Sequence, residues 1–432
     1  MKPLTKVLTP PRVIALGFAL TILIGSGLLM LPVCVRPGVA LRYIDALYTA
    51  ASAVCVTGLI AVDAADTFTG LGQAVLGLLI QIGGLGVTTV GAGIILATGR
   101  RMDLRSRTIF REAVNLDSLK GIVVLVREIF FTTVIAEGVG ALLCLPSFLR
   151  GHTVGHAIGI SLFHAVAAFN NAGFDILGGG TNLIPYREDV LLNLVTCVLV
   201  FLGGIGFLVL REVRQKRLRW KPLSMHAKVV LSVSAVLTVG GTVLLKLTEN
   251  LTWLGALFHS VSARTAGFST YPLSGFTQPG LLVMLFLMLV GASPGSTGGG
   301  IKTTTLFVLL KGIGSAATNR SEKAFRYAIP RTAFRKAAVI LLLALGVIFT
   351  GTYLLTVLEP SLSLRDALFE MTSAFATVGL STGITAGLGV GAKLLSIVIM
   401  YIGRLGPLTV ATLWYFSRGE RVRYPEGDMA IG

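Results

Sequence analysis

The sequence predicts an all-α polytopic membrane protein made of four fused repeats, each a helix, a re-entrant loop and a second helix. That gives eight transmembrane helices plus four re-entrant half-helices. Three observations carry this. The 432 residues are 53% apolar and only 13% charged, with mean hydropathy +0.82, where a soluble domain carries roughly 25% charge. Apolar runs of about 20 residues, the length of a membrane-crossing helix, recur throughout. Basic residues fall in alternate loops.

The long runs cover 13–33 and 70–97, 120–146 and 186–210, 227–247 and 279–315, and 335–357 and 391–416. Each is long enough to cross a hydrocarbon core of ~30 Å as a helix. The first follows Lys2, Lys6 and Arg12 but lacks an A-x-A cleavage site and exceeds a signal peptide's apolar stretch, so it is expected to stay as the first span. Between the members of each pair lie shorter pieces, 42–55, 153–168, 252–263 and 363–375, that cannot span. They begin and end opposite the basic loops, as half-helices dipping in from one side would, and their non-helical returns must be covered by protein or face water.

Of the 37 Lys and Arg, 27 lie in 1–12, 99–128, 211–228, 311–336 and 417–432, against 9 of the 20 acids. The positive-inside rule makes those stretches cytoplasmic, with both termini inside. The net charge of +17 is therefore topological, and no nucleic-acid partner is expected. Cys34, Cys55, Cys144 and Cys197 fall singly in or beside apolar runs, without CxxC spacing, and read as small hydrophobes. The 52 glycines imply close helix packing and unusual turns.

Aligned on their terminal glycines, the short pieces read S-A-V-C-V-T-G-L (52–59), A-A-F-N-N-A-G-F (167–174), S-A-R-T-A-G-F-S (262–269) and S-A-F-A-T-V-G-L (373–380). Gly58, Gly173, Gly267 and Gly379 are 115, 94 and 112 residues apart. Four divergent copies thus account for the chain, with boundaries near 1–110, 111–220, 221–325 and 326–432. A dehydrated cation needs oxygen dipoles in place of its water shell, and consecutive carbonyls face one axis only where the backbone takes unusual φ/ψ, which Gly permits. A half-helix entering from outside also aims its negative C-terminal end at the membrane centre. Thr377-Val378-Gly379 matches the start of the T-V-G-Y-G potassium-channel filter.

The four glycine turns, the opening Thr9-Pro10-Pro11, the stretch G-A-S-P-G-S-T-G-G-G-I-K-T at 291–303 and Gly403-Arg404-Leu405-Gly406-Pro407 together resemble the Trk/Ktr/HKT superfamily of potassium transporters. Length and short termini look most like its bacterial KtrB membrane subunits. The resemblance implies four helix–pore loop–helix repeats in pseudo-fourfold arrangement around a central pore. It further implies a homodimer in membrane lipid and a separate cytosolic nucleotide-binding regulatory ring of the KtrA type, which would touch the basic loops and the tail 417–432. Potassium would be the transported ion, with no covalently bound cofactor.

The filter carbonyls are then expected from Val56, Thr57 and Gly58, from Asn171, Ala172 and Gly173, from Thr265, Ala266 and Gly267, and from Thr377, Val378 and Gly379. Each repeat has one Gly where the T-V-G-Y-G filter has two, which predicts fewer tight sites. Gly291, Ser293, Pro294, Gly295, Gly298, Gly299 and Gly300 break what would otherwise be one span, since Pro lacks a donor and Gly carries an entropic penalty. The break is read as a gate loop under the filter, against a static kink. The Walker phosphate-loop pattern fails because Ile301 separates Gly300 from Lys302. Arg404, inside the last apolar run where a cation costs about 2.5 to 3.5 kcal/mol, is either a plug holding the gate loop or a static tie between helices or subunits. Lys302 reads as a similar anchor.

His164 and His259, lacking further ligands at metal spacing, read as polar packing residues. Glu137 and Glu370 fit either a cation path or a structural hydrogen bond, and Arg264 is expected to pair with an acid. A cation-coupled secondary transporter is the first rival function, but such folds usually show inverted repeats, whereas these copies share one orientation. A membrane enzyme is the second, and H-E-x-x-H does not occur.

Overall fold

The computed structural model describes residues 9–98, 102–114, 121–217, 219–318 and 322–413. The chain begins with α1 (Pro10–Leu29), α2 (Tyr43–Val54), a single turn α3 (Ala64–Thr67), α4 (Gly70–Leu85), α5 (Val87–Ala97) and α6 (Leu104–Val114). It continues through α7 (Ile122–Phe148), α8 (Val154–Phe169), α9 (Val190–Gly204) and α10 (Phe207–Gln215). Next come α11 (Met225–Thr248), α12 (Trp253–Ser262), α13 (Gln278–Leu289) and α14 (Thr303–Thr318). A small hairpin, β1 (Lys323–Ala324) with β2 (Tyr327–Ala328), precedes α15 (Arg331–Leu358), α16 (Leu364–Ala376), α17 (Val390–Leu405) and α18 (Pro407–Thr412).

Four times a long helix is followed by a shorter buried helix, a turn and a broken helix. The long members α1, α7, α11 and α15 are apolar enough to cross a membrane. They keep bulky apolar side chains on the outside, with Leu142, Val236 and Leu247 at least 70% exposed. The shorter helices are the reverse: along α16 every residue from Ala367 to Ala376 except Leu368 is buried. Such an outside is what a hydrocarbon solvent requires.

Starts and breaks follow from local chemistry. Pro10 and Pro11 open α1, where their missing donors go unneeded. Thr252, Thr277 and Ser363 cap α12, α13 and α16 by accepting the backbone N–H of Gly255, Gly280 and Asp366. The run 70–97 bends by 99° at Gly86 and the run 186–210 by 100° between α9 and α10. Neither is the single straight helix its length suggests. Gly86, Gly206 and Gly406 share one conformation (φ 84°, 95° and 88°; ψ 136°, 134° and 136°), a region open in practice to Gly alone. The four cysteines are buried free thiols.

Candidate functional site

The site starts where the short helices end. Two residues before each terminal glycine the backbone turns left-handed, at Val56 (φ 56°), Asn171 (59°), Thr265 (90°) and Thr377 (52°), and it turns so again at Gly58 (89°), Gly173 (67°), Gly267 (79°) and Gly379 (94°). Positive φ is unfavourable for β-branched Val and Thr, so this is stored strain that the surroundings must hold. The restraint repeats too. The N–H groups of Thr57, Ala172, Ala266 and Val378 donate to the carbonyls of Ser52, Ala167, Ser262 and Ser373 at 2.7–2.9 Å. Gly58 and Gly379 donate to the Ser52 and Ser373 Oγ at 3.0 and 3.1 Å. All eight non-glycine residues of these triplets are fully buried.

The four turns touch in a closed cycle. A methyl on Gly58 would fall on the Ala172 carbonyl oxygen and 3.0 Å from Gly173 Cα. On Gly173 it would lie 2.8 Å from Ala266 O and 2.9 Å from Gly267 Cα. On Gly267 it would fall on Val378 O, 3.2 Å from Gly379 Cα, and on Gly379 it would fall on Thr57 O, 2.8 Å from Gly58 Cα. In each case the carbonyl just before the next glycine occupies the space that a side chain would need.

Against this ring lies the break between α13 and α14, residues 290–302. Val290 and Ile301 form a parallel bridge that closes it into a loop. Its backbone is tied to α9 and α10: Ser293 N donates to Gly204 O at 2.9 Å, Thr297 N to Gly203 O at 3.1 Å, and Phe207 N to Gly295 O at 3.0 Å. It also touches the turns, since Gly299 N donates to Thr377 Oγ1 at 3.0 Å and a methyl on Gly291 would sit 2.9 Å from Thr265 Cγ2. Gly298 packs on Thr265 as well, Gly300 has φ 70°, and Ser293 Oγ meets Thr303 Oγ1 at 3.0 Å. The Pro294 carbonyl faces Gly206.

Two cations bind this loop's carbonyls. Arg404 donates through Nη1 to Thr297 O and through Nη2 to Gly83 O and, at 3.2 Å, Gly84 O. Lys302 Nζ donates to Gly298 O at 2.7 Å and Gly299 O at 3.3 Å. Arg404 thus joins α17 to both the loop and the end of α4. Gly83 and Gly84 were not singled out in the sequence, yet a signal was there: G-G-L-G at 83–86 and G-G-I-G at 203–206 align with G-R-L-G at 403–406. Gly83, Gly203 and Gly403 each pack on a carbonyl four residues before a turn glycine, those of Val54, Phe169 and Phe375.

The other polar candidates sort by their partners. Glu370 accepts from Ser381 Oγ at 2.7 Å and Thr385 Oγ1 at 2.6 Å, holding the segment after the fourth turn. Glu137 Oε1 accepts from Asn170 Nδ2 at 3.0 Å, and Asn170, at the end of α8, also donates to Gln81 Oε1. His164 bonds Thr196 at 2.8 Å and packs edge-on against Phe148, while His259 bonds Gly255 O and Ser269. The expected pairing of Arg264 fails: it is buried, its Nε has no partner, and no carboxylate among the described residues forms an ion pair with it. It follows α12 directly, where its backbone N–H donates to Val261 O at 3.2 Å. A buried pair that the sequence reading missed is Lys393 Nζ with Asp45 Oδ1 at 2.7 Å, joining α17 to α2, with Arg42 on the same carboxylate at 2.8 Å. The tail 417–432 lies outside the described residues.

The TrkH family model, described as a cation transport protein, matches residues 22–233 and 223–418. The chain belongs to the TrkH cation transport protein family. It is 38% identical to the Ktr system potassium uptake protein B of Bacillus subtilis (strain 168), over 98% of this chain and 97% of that one. It is 36% identical to the potassium/sodium uptake protein NtpJ of Enterococcus hirae, over 100% and 99%, and 36% to the Ktr system potassium uptake protein B of Vibrio alginolyticus, over 98% and 95%. Its fold superposes on the crystal structure of the potassium transporter TrkH from Vibrio parahaemolyticus with TM-score 0.74 at 18% identity, covering 96% of this chain and 88% of that one. Family membership and the apolar helices make it a multi-pass membrane transport protein.

Proposed function

We propose that this chain takes up potassium through a pore on the axis of the four turns, with the four copies 1–110, 111–220, 221–325 and 326–432 arranged in pseudo-fourfold fashion. The observation that carries the reading is the closed cycle of left-handed turns, in which the carbonyls of Thr57, Ala172, Ala266 and Val378 succeed one another around the ring. Backbone carbonyls replace an ion's hydration shell. The C-terminal ends of α2, α8, α12 and α16 add negative dipole ends at the same level. The names of the curated relatives, which include potassium uptake proteins and one potassium/sodium uptake protein, support potassium as cargo.

The loop 290–302 is the gate. Arg404 and Lys302 occupy carbonyls that would otherwise attract a cation, and opening requires those bonds to break. Such a pore operates in a bacterial inner membrane with both termini inside, as a homodimer regulated by a cytosolic nucleotide-binding ring. The Ktr system names of the relatives support partner components.

The test is potassium and sodium flux into liposomes holding the purified protein. Gly379→Ser puts a side chain at φ 94° against the Thr57 carbonyl. Left-handed strain of about 1–2 kcal/mol alone corresponds to roughly tenfold in an equilibrium. Selective potassium flux that falls at least about tenfold or loses selectivity in Gly379→Ser is the expected result. Unchanged rate and selectivity would remove the ring from the pathway.

A further inference from the structure

Away from the four turns, a groove of about 830 Å³ lies between α7, α9 and α10. Its walls are apolar, formed by Ile135, Val139, Leu143, Leu194, Val198 and Leu202. Val198 and Val139 are half exposed or more. Lining residues on α7 run from Leu125 to Leu143, a rise of about 27 Å at 1.5 Å per residue. That exceeds one leaflet's acyl layer, about half of a ~30 Å core, so an acyl chain anchored at one end has room along the wall.

Charge is confined to one end. The sharp bend after α9 lays α10 across the mouth of the groove. There Arg211 Nε is bound to Glu128 Oε2 at 2.8 Å, which pins α10 to α7. Arg214 and Arg217 also line the mouth, are exposed, and form no ion pair among the described residues. The nearby Glu212 is engaged by Ser224 N and Oγ at 2.6 and 2.7 Å. An apolar channel ending in two guanidinium groups that form no ion pair among the described residues matches one amphiphile.

We infer that this groove binds an anionic phospholipid of the cytoplasmic leaflet, with its acyl chains along α7 and α9 and its phosphate between Arg214 and Arg217. The placement in that leaflet rests on the topology proposed above. Guanidinium suits phosphate because its donors form a fork. The site also bears on the gate, because Phe207 lines the groove and its N–H holds Gly295 O of the gate loop at 3.0 Å.

The test is native mass spectrometry of the full-length protein equilibrated with equimolar phosphatidylglycerol and phosphatidylcholine. Each basic residue near a membrane surface adds to anionic-lipid affinity, so two give wild type a preference for phosphatidylglycerol of roughly tenfold or more. The double variant Arg214→Gln/Arg217→Gln, at exposed positions, retains both lipids equally, and Val198→Trp, which fills the groove, loses both. Equal retention by wild type, or a preference that persists in the double variant, overturns the inference. So does Val198→Trp turning a dimer into a monomer with lipid retention intact, since the groove would then seat a second copy. If Val198→Trp fails to fold, the double variant decides alone. Labelling of Gln215→Cys by an impermeant thiol reagent added to intact cells would overturn the leaflet assignment while leaving the lipid preference measurable.

Discussion

The third broken helix and its three counterparts solve one problem in different ways. After α4, α9 and α17 the chain turns at a single glycine, Gly86, Gly206 or Gly406, and resumes as a helix at once. Between α13 and α14 it instead wanders through residues 290–302, folding under the turns and hydrogen-bonding to α9, α10 and Thr377. The glycine turns above stay alike in all four, down to the residue with positive φ. Uniformity is confined to the carbonyl ring. Difference lies against it, where one break is a long loop and three are single-glycine turns, and in the function proposed above that loop is the element that moves.

The largest effects are expected where a rigid element is forced to give. Gly206→Ala combines a conformation worth about 1–3 kcal/mol of strain in a non-glycine residue with a methyl 2.6 Å from Pro294 O. Gly406→Ala has the same strain, but its nearest atom is Thr409 Oγ1 at 3.8 Å. Thermal unfolding in detergent should show both variants destabilised, Gly206→Ala clearly more so. Equal losses would mean that the loop is not braced by α10, and the contrast between movable and rigid breaks would weaken.

A second, smaller effect tests why the fourth copy differs from the first two at one position. Arg404 stands where Gly84 and Gly204 stand. Arg404→Gly restores the repeat pattern and removes the bonds to Thr297, Gly83 and Gly84. Potassium flux should rise severalfold, because neutral or charged hydrogen bonds of about 0.5–3 kcal/mol no longer hold the loop. A fall in flux with lowered thermal stability would identify Arg404 as a static tie between helices instead.

Much of this was legible before any coordinates. Apolar run length separates spans from half-helices, and alignment on Gly58, Gly173, Gly267 and Gly379 picks out the residues that meet in the ring. The bends were hidden, because Gly86 and Gly206 sit inside continuous apolar runs where a glycine reads equally as helix packing. The left-handed Val56, Thr265 and Thr377 run against residue preference, so the conformation is held by the hydrogen bonds and packing around it and not by the residues' own tendency. Lys393 and Asp45 are 348 positions apart, a pairing that no local pattern encodes. The same holds for Arg264, which forms no ion pair among the described residues.

The finest test uses adjacent glycines of one helix. Gly203 packs on the Phe169 carbonyl so closely that a methyl there would overlap it. Gly204, one position on, would place its methyl 3.3 Å from Asn171 Nδ2 and 3.9 Å from Ala292 Cβ, contacts that small side-chain shifts relieve. Gly203→Ala should therefore destabilise by about 1–3 kcal/mol, the usual range for overpacking a filled site. Gly204→Ala, at the last residue of α9, gains less than the roughly 1 kcal/mol of an interior position against a mild crowding term, leaving unfolding temperature and potassium flux close to wild type. If both positions tolerate alanine, the helix ends do not press on the turns, and the ring's geometry must be held by Ser52 and Ser373 and their neighbours instead. If neither does, the tight packing reaches beyond the first glycine, and the smallness of Gly204 serves the loop that rests on it.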